Sequence, residues 1–334
     1  MSLNIAVIGF GFMGMTHAIN ILKNPRLKLS AIVEKNPEKV YNQLSGGGGN
    51  FSTGDLDAKE LSSVRMYTDL NECLKNESID ACVVAVHTDL HYEIAWQALE
   101  AGLHVFLEKP FCLDIGKGEA LIELARERGL MLMVGQVVRF MPAYRTLKKW
   151  IETNELGKLE FLSLSRYSGL PSWGQWKEKQ QEFGSTGGAL FDLLIHDIDF
   201  AQWVCGIPDD IEAQCLPGKL SSHDYVSALW AYRDSGLRIK IDGGNTFHSA
   251  FPFQASYAAR FEHASVLLSC KDPENIMVAT DSGIRRVPAG DANDGFSGEI
   301  DYFAHCLASG EPPSECTPES ALQTIRICYG HLNR

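Results

Sequence analysis

The chain has 334 residues, of which 45% are hydrophobic and 22% are charged, so it is long enough for two domains with separate cores. It carries 30 basic and 42 acidic residues, a net charge of −12, and no run of Lys or Arg longer than two. This balance argues against nucleic acid or an anionic membrane as a partner, because both require a basic surface.

The cysteines indicate the expected compartment. Nine cysteines are scattered along the chain, without a C-x-x-C pair or a Cys/His cluster at zinc spacing. This pattern is typical of reduced thiols in a cytoplasm. The first predicted strand begins at residue 4, so no signal peptide is expected, and no apolar stretch reaches the roughly 20 residues of a membrane span. We therefore expect a cytoplasmic protein.

A glycine-rich motif joins the first two predicted elements. Residues 4–8 are an apolar run typical of a buried parallel strand, and residues 12–23 are typical of a helix. Gly9, Gly11 and Gly14 form the motif G-x-G-x-x-G. The first glycine permits a tight turn, the second lets the backbone approach a pyrophosphate, and the third lets the helix pack against the strand. The N-terminus of the helix then faces the anion.

A second predicted strand, residues 28–33, ends in an acid, Glu34, twenty residues after Gly14. An acid here accepts hydrogen bonds from the adenosine ribose and repels a 2′-phosphate. The pattern therefore predicts dinucleotide binding, with NAD preferred to NADP. The residues expected at the cofactor are Gly9, Phe10, Gly11, Phe12, Met13, Gly14 and Glu34.

Strands and helices continue to alternate up to residue 135. Further strands are predicted at residues 64–67, 80–86, 103–107 and 130–134, with helices at 70–75, 91–101 and 115–128. Four consecutive glycines, residues 46–49, indicate a surface loop. The alternation predicts an α/β domain with a doubly wound parallel sheet over residues 1–135.

The pattern changes after residue 136. A helix at 142–153, a strand at 159–167 and a long apolar helix at 189–205 are predicted. Six strands without intervening helices follow, at 211–216, 225–233, 237–242, 253–262, 264–270 and 284–287, and helices at 297–309 and 318–332 close the chain. Residues 136–334 are therefore predicted to form a second, α+β domain with a large, mostly antiparallel open sheet.

Lys109 is a candidate catalytic residue because it follows a predicted strand, within the tripeptide Glu108-Lys109-Pro110. The carboxyl end of a strand is where an open α/β sheet presents groups that contact ligands. Lys109 is therefore expected near the nicotinamide, holding a substrate oxygen or a proton. An ordinary surface lysine is the alternative.

Asp192 and His196 are four residues apart in the long apolar helix, so they are expected to share one helix face. Histidine exchanges protons near neutrality, and a nearby carboxylate fixes its tautomer. A structural histidine in the core is the alternative. Asp197 and Asp199 point to different faces, so no metal site is predicted.

Four stretches of the sequence resemble the Gfo/Idh/MocA oxidoreductases, which include inositol dehydrogenase and glucose–fructose oxidoreductase. They are the glycine motif with His17 and Ala18, and residues 91–110, 134–144 and 187–203. The E-K-P tripeptide and the G-G-x-x-x-D-x-x-x-H-D-x-D helix are the most specific signals. The resemblance implies an N-terminal Rossmann domain and a C-terminal α/β domain whose open sheet supports dimers or tetramers.

The resemblance also implies an NAD(P)-dependent interconversion of an alcohol and a ketone on a sugar, cyclitol or related polyol. Lys109, Asp192 and His196 match the catalytic residues of the family. Further cofactor contacts are predicted at His87, His91, Glu108 and Lys109. His196 is expected to remove the hydroxyl proton while Lys109 binds the same oxygen and Asp192 orients His196. Which of His196 and Lys109 is the principal base stays open. A cis Lys109–Pro110 bond is expected as well.

Two positions depart from the family pattern. Val137–Phe140 stands where the family usually has Asn-Arg-Arg-Phe, and Glu34, followed by Lys35, replaces the commoner Asp. For the substrate we predict Arg139, together with Trp173 and Trp176, whose indoles suit the apolar face of a sugar ring. Packing within a long loop is the alternative for the two tryptophans.

Two other functions are compatible with this fold, namely an NAD-dependent glycoside hydrolase and a non-catalytic sensor of NAD or sugar. Lys109, Asp192 and His196 argue against the sensor, because binding alone needs no proton relay. The glycine motif and the helix follow the dehydrogenase pattern more closely than that of the hydrolases.

The open sheet of the second domain predicts a homodimer or homotetramer. Six strands follow residue 210, with one earlier long helix to cover them. One helix layer shields one face of such a sheet, and an exposed apolar face is usually an interface. If the terminal helices cover the second face, the protein is a monomer.

Overall fold

The structure is a computed structural model that describes residues 2–44, 56–170, 187–290 and 295–332. The chain divides into two compact units, and each is described by itself. The first consists of the described residues of Met1–Gln136 and Phe296–Leu322, and the second of those of Val137–Ser172, Glu178–Gly295 and Gln323–Arg334. The predicted glycine loop at residues 46–49, and Trp173 and Trp176, lie outside the described residues.

The first unit is built on a six-stranded parallel sheet in the order β3-β2-β1-β4-β5-β6. The strands are β1 (Leu3–Ile8), β2 (Leu27–Val33), β3 (Arg65–Tyr67), β4 (Ala81–Val84), β5 (His104–Glu108) and β6 (Leu132–Gly135). The helices are α1 (Phe12–Lys23), α2 (Pro37–Leu44), α3 (Leu70–Asn76), α4 (His91–Glu100) and α5 (Ile115–Arg128). The predicted doubly wound parallel sheet is confirmed.

Local sequence explains where these helices begin and end. Asp69 and Asp114 cap α3 and α5 by accepting hydrogen bonds from the backbone N–H groups of Glu72 and Lys117. At the other end of α5, Gly129 takes a left-handed conformation with φ 64°, which glycine adopts without a steric penalty. The predicted bounds 115–128 are therefore the observed ones.

The second unit contains an eight-stranded sheet in the order β14-β13-β12-β11-β7-β10-β9-β8. The strands are β7 (Leu159–Gly169), β8 (Asp210–Leu216), β9 (Tyr225–Ala231), β10 (Arg238–Phe247), β11 (Gln254–Phe261), β12 (Ser265–Ser269), β13 (Asp272–Thr280) and β14 (Gly283–Pro288). Neighbours are antiparallel except β7 and β10, which run parallel. The mostly antiparallel sheet is thus confirmed.

One strand of this sheet, β13, was not predicted. It begins with Asp272-Pro-Glu-Asn, residues that are typical of a turn. Only Ile276 and Val278, both 0% exposed, show the alternation that marks a strand with one buried face. Pairing with β12 and β14, and not the local pattern, determines this strand.

The two faces of the sheet differ in exposure. Leu229, Lys240, Ser163, Ala258 and Leu267 are directly paired across five neighbouring strands, so their side chains share one face. Leu229 is 40% exposed and Leu267 is 39% exposed, so this face is open in the described chain. The opposite face is buried, and it includes Leu162, Leu164, Trp230, Ile239, Ile241 and Tyr257.

Besides two 3-10 helices, Thr88–Leu90 and Val137–Phe140, five further α-helices complete the described fold. They are α6 (Pro142–Thr153), α7 (Gly188–Asp192), α8 (Ile195–Cys205), α9 (Phe296–Ser309) and α10 (Pro318–Gly330). No helix within the described ranges combines the length and the hydrophobicity needed to cross a membrane.

The helix α9 clusters with the first unit, although the sequence assigned it to the second domain. Asn24, which follows α1, donates a hydrogen bond to Asp301 at 2.6 Å. The ring of Phe303 meets that of Phe106 on β5 edge to face, with centroids 5.6 Å apart. These contacts are made between residues distant in sequence. The periodicity of a helix shows which of its faces is apolar but not which element that face packs against.

The predicted long helix at 189–205 is in fact two helices, α7 and α8. At the break, Leu193 has φ −103° and ψ −57°, and Leu194 has φ −75° and ψ −16°. The backbone N–H groups of both leucines donate to the carbonyl of Ala189. Leu193, Leu194 and Ile195 are all buried, which a straight amphipathic helix with one apolar face does not achieve.

Candidate active site

The glycine-rich loop has the geometry of an anion site. Gly9 has φ +85°, and a Cβ there would lie 2.6 Å from the carbonyl oxygen of Ala85. A Cβ on Gly14 would collide with the carbonyl oxygen of Gly9, whereas one on Gly11 would meet no atom within 4 Å in the described chain. Gly9 and Gly14 are thus needed for the turn and the close packing, and Gly11 borders open space.

The start of α1 suits a phosphate group. Gly11 is the N-cap residue, no side chain of the described residues caps this end, and the first turn contains no acid. The first amides of a helix and its dipole attract an anion. Phe12 and Met13 lie in this first turn and are half-buried. The loop therefore fits the pyrophosphate of a dinucleotide.

Glu34 holds the glycine-rich loop through its side chain. The backbone N–H of Phe10 donates to Glu34 Oε2 at 3.0 Å, and that of Asn36 donates to Oε1 at 3.1 Å. The side chain of Phe10 is 1% exposed, so this residue offers its backbone and not its ring to a ligand. The acid after β2 therefore lies beside the loop, where the sequence placed it.

The Glu108-Lys109-Pro110 segment lies at the carboxyl end of β5, as predicted, and the Lys109–Pro110 bond is cis, which confirms that expectation. The backbone N–H of Lys109 donates to Glu108 Oε2 at 3.0 Å. The ring of His91 binds the carbonyl oxygen of Pro110 through Nδ1 at 2.8 Å. Hydrogen bonds therefore hold the backbone on both sides of the Lys109 side chain, which is half-buried.

The two histidines predicted at the cofactor differ. His91 is 1% exposed, and its second ring nitrogen, Nε2, lies 3.2 Å from the carbonyl oxygen of Val86. Burial lowers the pKa of His91, which favours a neutral ring. His91 thus supports Pro110 from within the core. Its ring is not available to a cofactor, which corrects the prediction of a cofactor contact at His91. His87 is partly exposed, and its Nδ1 lies 2.7 Å from Asp89.

Asp192 and His196 occupy different helices, so the prediction that they share one helix face is wrong. Asp192 is the last residue of α7, and His196 is the second residue of α8. Both side chains are half-buried, and the three residues between them, Leu193, Leu194 and Ile195, are buried. Because the helix breaks between them, the two residues do not have the regular i, i+4 relation of one helix. His196 instead lies at the N-terminus of α8.

Arg139 is not available to a substrate, which corrects its predicted role. Its guanidinium binds both oxygens of Asp199, from Nε at 2.7 Å and from Nη2 at 2.5 Å, and both side chains are 1% exposed. The hydroxyl of Thr324 donates to Asp199 as well, at 2.9 Å. Arg139 therefore joins the 3-10 helix Val137–Phe140 to α8 and α10 in the core of the second unit.

A second buried ion pair lies next to His196. Arg166 on β7 donates from Nε and Nη2 to the two oxygens of Asp197, at 2.8 and 3.1 Å, and Asp197 is 0% exposed. Asp197 and Asp199 thus bind arginines. These pairs were not predicted from the sequence, although two acids in an apolar helix indicate buried partners.

His223 is another residue of this region that was not predicted from the sequence. Its Nε2 lies 2.8 Å from the carbonyl oxygen of Gly187, at the start of α7. The next residue, Asp224, is fully buried and accepts hydrogen bonds from the backbone N–H of Leu220 and the hydroxyl of Ser221. The loop before β9 therefore supports α7, which carries Asp192.

Two family models match the sequence. The one described as "Oxidoreductase family, NAD-binding Rossmann fold" matches residues 3–136, and the GFO/IDH/MocA C-terminal domain matches residues 144–260.

Several proteins of known name are similar to the chain. The scyllo-inositol 2-dehydrogenase (NAD(+)) of Bacillus subtilis is 25% identical over 324 residues, which cover 92% of this chain and 87% of that protein. Among solved structures, the myo-inositol 2-dehydrogenase of Lactobacillus plantarum has a TM-score of 0.79 at 22% identity, covering 99% of this chain and 96% of that one. A 3-ketoreductase from Actinomadura kijaniata, in complex with NADP and TDP-benzene, has a TM-score of 0.80 at 21% identity, covering 98% and 96%.

The two models together span both units of the fold, and the glycine-rich loop fits a dinucleotide. The chain therefore belongs to the Gfo/Idh/MocA family of NAD(P)-binding oxidoreductases.

Proposed function

We propose that the protein is an NAD-dependent dehydrogenase that interconverts a hydroxyl group and a ketone on a cyclitol, a sugar or a related polyol. The observation that carries the proposal is the segment around Lys109, whose backbone is bonded on both sides at the carboxyl end of β5. A catalytic lysine must be held in a defined position, whereas an ordinary surface lysine needs no such support. The inositol dehydrogenase of Bacillus subtilis, similar over almost the full length, supports the substrate class.

In this reaction His196 removes the proton from the substrate hydroxyl, and Lys109 donates a hydrogen bond to the same oxygen. Asp192 orients His196 or takes up part of the proton load. Bound NAD supplies the acceptor for the hydride that leaves the carbon.

NAD is the proposed cofactor because the carboxylate of Glu34 lies beside the glycine-rich loop. A carboxylate there accepts hydrogen bonds from ribose hydroxyls and repels the 2′-phosphate of NADP. The neighbouring Lys35 is exposed and offsets part of that repulsion. The Bacillus subtilis relative is named for NAD(+), whereas the Actinomadura kijaniata structure contains NADP.

Spectrophotometry tests the proposal. The purified protein is incubated with NAD, and separately with NADP, against a panel of inositol isomers, aldoses, ketoses and nucleotide sugars, and absorbance at the NADH wavelength is followed. Continuous NADH production on a polyol is the expected result. Glycoside cleavage without net NADH would replace the proposal with an NAD-dependent hydrolase. Binding of NAD and sugar without turnover would indicate a sensor.

We also propose that the protein is a homodimer or homotetramer assembled through the open face of the eight-stranded sheet. Leu216, Leu229, Leu267 and Ile284 are 56, 40, 39 and 71% exposed, and the strand register puts all four on this face. Ion pairs such as Arg260–Glu160 and Arg286–Asp272 lie among them. An apolar face with charged groups between its side chains is typical of a self-association surface.

A cytoplasmic location is proposed from the cysteines. All nine lie within the described residues and all are free thiols. Burial raises the pKa of Cys112 to about 12 and that of Cys205 to about 12, so these thiols stay protonated and unreactive. Free thiols in this number are typical of a reducing compartment.

A further inference from the structure

The first unit contains a buried cluster in which Glu108, predicted at the cofactor, lies beside two residues that have no role in the proposed reaction. His17 lies on α1, Glu108 ends β5 and Glu299 lies on α9, and the three residues are 0, 6 and 0% exposed. One nitrogen or oxygen from each lies within 4.8 Å of the others. Charged groups in a protein interior are costly unless they bind a metal or form hydrogen bonds.

The distance between His17 and Glu108 distinguishes these two possibilities. His17 Nε2 lies 2.5 Å from Glu108 Oε1. Two ligand atoms at about 2.0–2.2 Å from one tetrahedral zinc ion are about 3.3–3.6 Å apart, because the metal stands between them. At 2.5 Å the imidazole and the carboxylate share a proton directly. The geometry therefore favours a charge-assisted hydrogen bond over a metal site.

This hydrogen bond leads to the backbone of Lys109. His17 Nδ1 has no hydrogen-bond partner in the described chain, so we assign the shared proton to Nε2, which then donates to Glu108 Oε1. The other oxygen of the same carboxylate, Oε2, accepts the backbone N–H of Lys109 at 3.0 Å. One carboxylate thus connects the helix that follows the glycine-rich loop to the residue proposed to bind the substrate oxygen.

The packing around the pair restricts its movement. The imidazole of His17 meets the ring of Phe106 with centroids 5.0 Å apart. A Cβ on Gly135 would lie 3.0 Å from the Phe106 ring and 3.5 Å from Glu108 Oε1. The carboxylate therefore keeps one orientation as long as His17 holds it.

We propose that His17 is a positioning residue for the dehydrogenase reaction, which fixes the Glu108 carboxylate and through it the backbone from which the Lys109 side chain projects. The inference rests on the catalytic role proposed for Lys109. On the far side of Lys109, His91 holds Pro110 at 2.8 Å. Loss of the His17 hydrogen bond therefore releases one end of the segment and misdirects the lysine without removing it.

Two amide substitutions differing by one methylene test this role. His17→Gln carries an N–H donor that reaches the position of His17 Nε2, whereas the amide of His17→Asn stops short of Glu108. For both variants and Lys109→Ala, kcat and KM are measured on the panel polyol that is turned over fastest, and NAD dissociation constants by fluorescence titration. His331→Gln is the control, because His331 is a buried histidine that accepts from Trp230 Nε1 in the second unit.

The expected result is that His17→Gln keeps kcat within about threefold of the wild type, while His17→Asn loses about 10- to 100-fold, as for a misplaced catalytic group. KM and the NAD dissociation constant should stay unchanged in both, and His331→Gln should keep its kcat.

Three outcomes overturn the proposal. The first is an equal kcat in His17→Gln and His17→Asn. The second is a loss of kcat in His331→Gln as large as that in His17→Asn, which would show that the effect is general destabilisation. The third is a stoichiometric metal ion in the wild-type protein, measured by plasma mass spectrometry and lost in His17→Asn. If Lys109→Ala itself keeps full turnover, it is the catalytic role of Lys109 that fails.

Discussion

Glu34 accepts a hydrogen bond from the backbone N–H of Phe10 at 3.0 Å, so the acid that follows β2 is bonded to the loop that fits the pyrophosphate. This contact fixes a negative charge next to the loop. In a Rossmann fold, an acid at this position accepts hydrogen bonds from the adenosine ribose. Cofactor choice should therefore depend on the charge of this side chain.

Substitution of Glu34 by Gln tests cofactor choice. The amide keeps the size of the side chain and an acceptor oxygen for Phe10 but removes the charge, so the repulsion of a 2′-phosphate is lost. We expect the wild type to prefer NAD, and the ratio of kcat/KM for NAD to that for NADP to fall by about tenfold or more in Glu34→Gln, since one lost charge contact corresponds to about 1.4 kcal/mol or more. Glu38→Gln, an exposed acid of α2, is the control that should keep the ratio. A wild-type preference for NADP would contradict this prediction.

Removal of either group proposed to bind or transfer the substrate proton should lower kcat sharply without unfolding the protein. General acid–base groups contribute about 10²–10⁴-fold in rate, so Lys109→Ala and His196→Ala should lose kcat on that scale. Both side chains are half-buried, and their truncation leaves the packing of the sheets intact.

The controls for these two variants are Lys75→Ala, at the end of α3, and His305→Ala, an exposed histidine on α9. NAD affinity and the melting temperature should match the wild type in all four variants. Retention of most of the turnover by Lys109→Ala or His196→Ala would show that the residue in question has no part in the proton transfer.

The sequence was sufficient for those parts of the fold that local pattern determines. The bounds of α1 and α5 follow from the glycine motif and from Asp114 and Gly129, which act within a few residues of themselves. The parallel sheet follows from the alternation of strands and helices. In contrast, β13 depends on pairing with its neighbours, and the packing of α9 on α1 depends on a contact between Asn24 and Asp301, distant in sequence.

The parts of the site that belong to a sequence motif could be predicted. The parts that depend on contacts between residues distant in sequence could not. The position of Lys109 at the end of β5 could be predicted because the sequence pattern of that strand is clear. Arg139 is predicted as a substrate contact because it lies in residues 137–140, where the family usually has Asn-Arg-Arg-Phe. Its true partner, Asp199, is 60 residues away, and only the tertiary structure brings the two charges together. The break between α7 and α8 is likewise a consequence of packing.

The buried pair of Arg139 and Asp199 should contribute to stability. Removing one partner of a buried ion pair leaves a charge without compensation, which costs about 3–5 kcal/mol. Arg139→Met should therefore lower the free energy of unfolding of the second unit by about that amount, measured as a shift of the urea midpoint by fluorescence.

A double variant and an exposed pair provide the comparison. Arg139→Met combined with Asp199→Leu should regain most of the loss, because no lone charge remains buried. Arg126→Met removes a partner of Glu123 from a pair whose side chains are 63 and 56% exposed, and such pairs contribute at most about 1 kcal/mol. A midpoint shift for Arg139→Met as small as that for Arg126→Met would refute the structural role.

The open face of the eight-stranded sheet should be the self-association surface. Leu229 and Leu267 are on this face, and burying two such side chains contributes about 1.5–3 kcal/mol each, so their replacement by lysine should separate the subunits. Light scattering at micromolar concentration should give the wild type two or four times the chain mass of 36.9 kDa, and the Leu229→Lys/Leu267→Lys variant a mass close to one chain. Ile207→Lys changes an apolar side chain that is 60% exposed but lies outside the strands, between α8 and β8, and should leave the mass unchanged. A wild-type mass near that of one chain would reject the interface, because a monomer leaves this face in water.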